Sequence, residues 1–317
     1  MITNIPTKSE FENVAKENLT QSFNLLYKVH TESIDLPDEI MKEEIPAEEI
    51  WIRHHGTIRT ALILLHQALE GLMKSSICAA SPLLLIDKSR REWPSLPESH
   101  DKDFDSLYTI GGEALLTTFC AVPGEIVKDN ALVDFIEDIR RKRNQAVHGT
   151  DIRDLSPNYI IKNVLNAFTI WFGKDTWQTE LRQNLLDNPL FGYFDADYEN
   201  AISYRFLDFA LSMIGKSELA KHLSVDIGAR PYFCPECKRQ IECEFDSLAS
   251  KWAFLHPNDP ASTTICCASC QQSFPVIRKK CGISGCKGNV LFEDADWHGG
   301  DVCLTCFSIH EYEEESE

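Results

Sequence analysis

Ten of the chain's twelve cysteines fall between Cys234 and Cys306, and only Cys78 and Cys120 precede them. Most of the ten stand in CxxC or near-CxxC pairs, a spacing that in a reducing compartment points to metal ligation before disulfide pairing. The chain therefore divides near residue 228. At 317 residues it is long enough for one large domain or two ordinary ones. The expected organisation is an N-terminal helical extension over 1–45, a helical domain over 46–228, and a cysteine-rich region with an acidic tail over 229–317.

Within the cysteine-rich region, Cys234-Pro-Glu-Cys237 and Cys267-Ala-Ser-Cys270 form two knuckles. Each knuckle of a zinc ribbon supplies two thiolates to a tetrahedral ion. A second set follows at once, Cys281-Gly-Ile-Ser-Gly-Cys286 and Cys303-Leu-Thr-Cys306. Eight ligands imply two structural zinc ions in tandem ribbons with short β-hairpins, and metal binding supplies folding free energy that a region of this size lacks. Cys243 and Cys266 are left over. Cys266 could replace Cys267 as a ligand, and His256, His298 and His310 rank below the cysteines. Closed four-thiolate sites leave no position for a substrate, so these ribbons are expected to build a surface rather than to catalyse. Arg278, Lys279, Lys280 and Lys287 form the region's basic cluster, and Glu311 to Glu317 read as a solvated acidic tail. That surface could take RNA, DNA or a protein partner.

The part before residue 228 reads as helical. Phe11, Val14, Ala15, Leu19, Phe23, Leu26 and Tyr27 recur at spacings of three and four between Glu10 and His30. From Pro46, a single long central helix is expected through Trp51, His55, Ile58, Leu62, Leu65, Leu69, Leu72, Met73 and Ile77. Ser81-Pro82 ends it, and Leu83 to Ile86 is a short apolar run of strand or buried coil. A further helix spans about Asn130 to Val147, another opens at Ser156-Pro157, and Phe191 to Leu223 adds one or two more. No repeat of 20 to 50 residues stands out, which argues against a solenoid. The fold class is therefore mainly α.

Charge and hydropathy narrow the function classes. The formal charge is −18, with both sides of the boundary acidic, so no general field draws nucleic acid or an anionic membrane to this surface. No apolar run approaches the roughly 20 residues of a membrane helix, and the first residues lack a signal-peptide plan. A cytoplasmic protein with no membrane partner is expected.

Against that acidic background stands Arg140-Arg141-Lys142-Arg143-Asn144-Gln145-Ala146-Val147-His148-Gly149. Cations are favoured at the negative end of a helix dipole, so a solvated basic last turn is the simplest account. An Arg-x4-His pair arises about 0.4 times by chance in a chain with this much Arg and His, but only about 0.02 times once Asn must follow the Arg. On an ideal helix Arg143 and His148 are rotated apart by about 140°. One site can use both only if the helix ends there, as Gly149 suggests, or if two chains contribute.

Arg143-Asn144-x3-His148 resembles the R-N-x3-H motif of HEPN domains, all-helical bundles many of which are metal-independent endoribonucleases of defence, toxin and RNA-processing systems. The segment Leu65-His66-Gln67-Ala68-Leu69-Glu70-Gly71-Leu72-Met73-Lys74 is similar to an alanine- and glutamate-bearing helix of the same superfamily. The resemblance covers roughly residues 46–178. It implies a HEPN-like bundle, RNA as substrate, a homodimer with a composite site and no catalytic metal. Some members with partial motifs only bind or dimerise, so the alternative is a non-catalytic dimerisation or RNA-binding module whose ribbons recruit a protein partner.

The chemistry stands on the residue types themselves. RNA carries its own nucleophile in the 2′-hydroxyl, so cleavage needs a group of near-neutral pKa to move a proton and a cation to stabilise the charged phosphorane. His148 suits the first role and Arg143 the second. Asn144 orients a phosphate oxygen or holds the histidine. Glu70 either fixes Arg143 or His148 or forms an i,i+4 salt bridge with Lys74. His54, His55 and His66 are assigned structural roles.

Overall fold

The computed structural model describes residues 1–34, 47–87, 93–94, 100–149, 155–187, 196–244, 250–294 and 300–311. Two compact units result, Met1–Phe172 and Gly173–Glu317. The chain is mainly helical, with small antiparallel sheets confined to its C-terminal part.

In the first unit, α1 (Lys8–Ile34) opens with a capping box: Thr7 N–H donates to Glu10 Oε2 at 2.7 Å, and Glu10 N–H donates to Thr7 Oγ1 at 3.3 Å. Its stripe of Ala15, Leu19, Phe23 and Leu26 is fully buried. After α2 (Ala47–Arg53) comes α3 (His55–Ala80), which packs along α1 more extensively than any other pair of elements. Gly71 permits that approach, since a Cβ there would lie 3.3 Å from the Ala15 side chain. Ser22 Oγ donates across the same contact to the Ala61 carbonyl at 2.8 Å. Two more helices, α4 (Gly112–Ala121) and α5 (Asn130–His148), close a core of Met73, Ile77, Leu115, Phe119, Leu132 and Ile136. Then α6 (Pro157–Phe172) places Ile160, Ile161, Val164, Leu165 and Phe168 against α1 and α3, capped by Ser156 Oγ accepting from Tyr159 N–H at 3.2 Å. A short parallel pair, β1 (Ile2–Thr3) with β2 (Lys102–Asp103), ties down the N-terminal residues.

The second unit begins with α7 (Thr176–Leu186) and α8 (Ala196–Leu219), the latter kinked at Gly215, where φ is +75°. A shorter helix, α9 (Pro235–Glu244), leads into two three-stranded antiparallel sheets. The first is β3 (Ala253–Leu255), β4 (Thr264–Cys267) and β5 (Ser273–Pro275); the second is β6 (Leu291–Asp294), β7 (Gly300–Cys303) and β8 (Ile309–Glu311). A backbone bridge from Ile277 to Leu291 and an edge contact of Phe274 with Phe292, centroids 6.1 Å apart, join the sheets.

Several expectations differ from this architecture. The spatial division falls at Phe172/Gly173 rather than near 228, because α7 and α8 pack with the cysteine-rich sheets. Tyr204 of α8 brings its phenol 4.0 Å from Cys267 Sγ, and Asp208 accepts from Trp252 Nε1 at 3.0 Å and from Ser250 Oγ at 2.6 Å. Residues 1–34 are not peripheral, since α1 supplies fully buried residues to the first unit. The long central helix is broken at His54, whose φ of −99° and ψ of 21° leave the helical region. The run after Ser81 is a 3-10 turn, Pro82–Leu85, and α4 and α7 lie where no helix is expected from periodicity.

Candidate functional site

Helix α5 is started by Asp129, whose carboxylate accepts from Leu132 N–H at 2.9 Å, and is held to the core by Leu132, Ile136, Ile139 and Ala146. With that face buried, the helical repeat turns Glu137, Arg141, Asn144 and His148 outward together. They line an open groove of ≈ 640 Å³ with Arg140, Gln145 and Gly149. Gly149 ends the helix by donating to the Gln145 carbonyl at 2.8 Å in an extended conformation. A Cβ at this position would stand 2.5 Å from that carbonyl oxygen, so close approach rather than a left-handed turn selects glycine.

The four cations differ in their surroundings. Arg140 grips Glu137 through Nε at 3.0 Å and Nη2 at 2.7 Å. Arg141 pairs with Asp138, whose other oxygen accepts from the Tyr159 phenol at 2.6 Å. Burial, then Asp138, pushes the Tyr159 pKa well up, so the phenol stays protonated and donates. Lys142 lies over the Tyr159 ring, 4.9 Å from its centroid. Arg143 pairs with no carboxylate among the described residues; its Nη1 donates to Asn144 Oδ1 at 3.0 Å, and its Nε is buried without a hydrogen-bond partner.

Arg143 does not line the groove that holds His148. Its charge acts instead on the buried ring of His66 in α3. Burial lowers the His66 pKa, the Glu70 carboxylate opposes this, and Arg143 and Arg140 reinforce it. Glu70 and His66 line a narrow crevice with Arg140 and Glu137, which also border the groove. Among the described residues Glu70 forms no ion pair with Lys74. The structure thus brings Asn144 and His148 to one face, bridges Asn144 to Arg143, and places Glu70 beside His66 rather than in the groove with His148. His66 and Glu137 are additional members of this neighbourhood. Glu137 was signalled by its position one turn before Arg140 and Arg141; His66 becomes visible only once α3 is packed beside α5.

In the second unit, Cys234, Cys237, Cys267 and Cys270 gather their sulfurs within 4.8 Å of one another, as do Cys281, Cys286, Cys303 and Cys306. Each group could hold a metal ion. The Cys234–Cys270 separation is 3.8 Å, and those of Cys237–Cys267, Cys281–Cys306 and Cys286–Cys303 are 3.9 Å. A tetrahedron with metal–sulfur arms of about 2.3 Å has edges of about 3.8 Å, whereas a disulfide requires about 2.05 Å. All eight thiols are free. Burial pushes the Cys234 thiol up, and a cation in the site would favour its thiolate.

The two centres share a hairpin plan offset by 36 residues, Cys267 corresponding to Cys303 and Cys270 to Cys306. The residue after each pair, Gln271 or Phe307, adopts φ near +60° and donates its N–H back to the first cysteine's carbonyl, at 3.0 and 2.7 Å. Their other halves differ. Cys234 precedes α9 and Cys237 lies in its first turn, where helix N–H groups favour negative charge. Cys281 and Cys286 instead flank a loop closed by Cys281 N–H donating to the Gly288 carbonyl at 2.9 Å. Gly288 donates to Cys286 Sγ at 3.3 Å, and a Cβ on it would fall 2.6 Å from Cys303 Sγ. His310 Nε2 lies 3.3 Å from Cys281 Sγ, beside the cluster rather than in place of a cysteine.

The choice between adjacent cysteines is resolved by strand alternation. Cys267 faces inward, while Cys266 Sγ is 2.9 Å from Ser273 Oγ. His256 joins neither cluster. His298 and the Cys243 side chain lie outside the described residues. No described helix is long and apolar enough to cross a membrane. No family model, curated protein or solved structure matches the chain.

Proposed function

We propose that the protein is an endoribonuclease of defence or toxin type, in which His148 moves the proton and Arg143 stabilises the phosphate during attack by the RNA 2′-hydroxyl. The carrying observation is the placement of Asn144 and His148 in one open basic groove, with Asn144 hydrogen-bonded to Arg143, a cation that pairs with no carboxylate among the described residues. Internal attack requires a proton acceptor and charge stabilisation but no activated water in the first step, so this route proceeds without a catalytic metal. Glu70, through His66 and Arg140, would set the position of the cationic side.

The same geometry supports a homodimer. Arg143 and His148 diverge within one chain, and two α5 ends meeting about a two-fold axis would surround one phosphate with both pairs. Mixing Arg143→Ala subunits with wild type should then lower activity beyond simple dilution. The observation favouring the alternative, a non-catalytic HEPN-like dimerisation or RNA-binding module, is that Arg140 and Arg141 are each held by a carboxylate one turn away.

We also infer that both four-cysteine groups hold structural zinc, given all-thiolate donors with tetrahedral edges. Incubating purified, metal-loaded protein with total RNA and no added divalent metal tests the catalytic reading: cleavage to 2′,3′-cyclic phosphate ends supports it, and intact RNA or 5′-phosphate ends alone refute it.

A further inference from the structure

The loop of the second four-cysteine centre is ringed by positive charge. Lys279 and Lys280 enter it, Lys287 leaves it, and the Cys281–Gly288 backbone hydrogen bond holds the two arms together. Arg230 joins them from outside, its Nη2 donating to the Lys287 carbonyl at 3.4 Å. All four side chains are exposed, and none pairs with a carboxylate among the described residues. Elsewhere Arg53, Arg140, Arg141, Lys221 and Arg239 each have a carboxylate nearby.

Two further surfaces accompany the charge. At the loop tip, Ile283 is 42% exposed despite its apolar side chain. The Arg230 guanidinium lies over the Tyr232 ring at 5.6 Å, so its inner face is backed and its outer face is open. Unstacked nucleobases pack on guanidinium planes and apolar side chains while lysines neutralise the backbone phosphates. An acidic peptide would answer the lysines but leave Ile283 and the open face of Arg230 without a role.

We propose that this loop is a single-stranded RNA anchor, with Lys279, Lys280 and Lys287 on the phosphates and Arg230 with Ile283 under the bases. The choice of RNA rests on the nuclease reading above, and the anchor would define the substrate as having an unpaired segment. The metal's role would be to hold the loop's shape, since the eight thiolates close both centres.

The test is fluorescence anisotropy of a labelled single-stranded oligoribonucleotide with full-chain, metal-loaded His148→Ala protein, which separates binding from cleavage. Replacing Lys279, Lys280 and Lys287 together by Glu should weaken binding at least about ten-fold, and by Gln should do so less. The slope of log affinity against log salt should shrink by about 2, at about 0.7 per lost phosphate contact. The Gln variant keeps the test decisive if charge reversal disturbs metal content. Unchanged affinity in the Gln variant, or competition by polyglutamate as effective as unlabelled RNA, would overturn the anchor. Retained binding by a wild-type protein that cuts nothing would overturn the nuclease reading and leave the anchor standing.

Discussion

The first unit closes over Leu19, Phe23, Leu65, Phe119 and Phe168, each fully buried. The sheets of the second unit consist of strands three or four residues long, and their turns are organised around Cys234, Cys237, Cys267 and Cys270 and around Cys281, Cys286, Cys303 and Cys306. Apolar burial holds the helical unit at a cost spread over many side chains, whereas the sheets depend on a few sulfur atoms whose loss is concentrated. The same contrast appears between the two centres. The first has three buried ligands, with Cys270 half-buried, and sits against Tyr204; the second has Cys286 half-buried and Cys306 exposed.

The largest effect should come from the ligands. Cys234→Ser or Cys303→Ser should each remove about one metal ion per chain, measured by metal analysis, and unfold the surrounding sheet. Structural zinc carries on the order of 10 kcal/mol of folding-linked binding free energy. Helical signal from the first unit should survive, so collapse of the whole chain would break the contrast. Chelator should strip the second centre faster than the first, and equal rates would remove the distinction between them.

Next in size, Phe168→Ala should destabilise the helical unit by about 3–5 kcal/mol in denaturant unfolding, with metal content unchanged. A smaller effect should attend pH. Burial lowers the pKa of His30, and burial with Arg143 and Arg140 lowers that of His66 against the pull of Glu70. The folded state therefore resists protonation. Stability of the helical unit should be intact above the unfolded histidine pKa of about 6.5 and fall as pH drops below it. His66→Gln should flatten that fall in thermal unfolding followed across pH; an unaltered profile would remove His66 from the account. Smallest of all, Ser156→Ala should cost the helical unit about 1 kcal/mol through loss of the α6 cap.

Much of this was legible before folding because the signals were local. Ser156-Pro157 marked a helix start, the 3–4 spacing marked α1, and closely spaced cysteine pairs marked both centres, since a short spacing fixes where two thiols can meet. What escaped depended on contacts distant in sequence. A boundary near residue 228 leaves the segment 173–228 with the N-terminal helices, yet Tyr204 and Asp208 bind α8 to the sheets. No composition shift marks Phe172/Gly173. The break at His54 lies within an unbroken apolar stripe, so periodicity could not locate it. Strand alternation separated Cys267 from Cys266 only once β4 was paired, and His66 joined the α5 neighbourhood through packing of α3, with no motif of its own.

We propose that the end of α5 cuts RNA. Wild-type, His148→Ala and Arg143→Ala proteins, each metal-loaded, should be compared on one labelled RNA without added divalent metal, with circular dichroism confirming the helical fold of each. Removal of a proton-transfer group or of charge stabilisation should lower the cleavage rate by about 100-fold or more, and wild-type products should carry 2′,3′-cyclic phosphate ends. Wild-type rates in either folded variant would contradict the assignment.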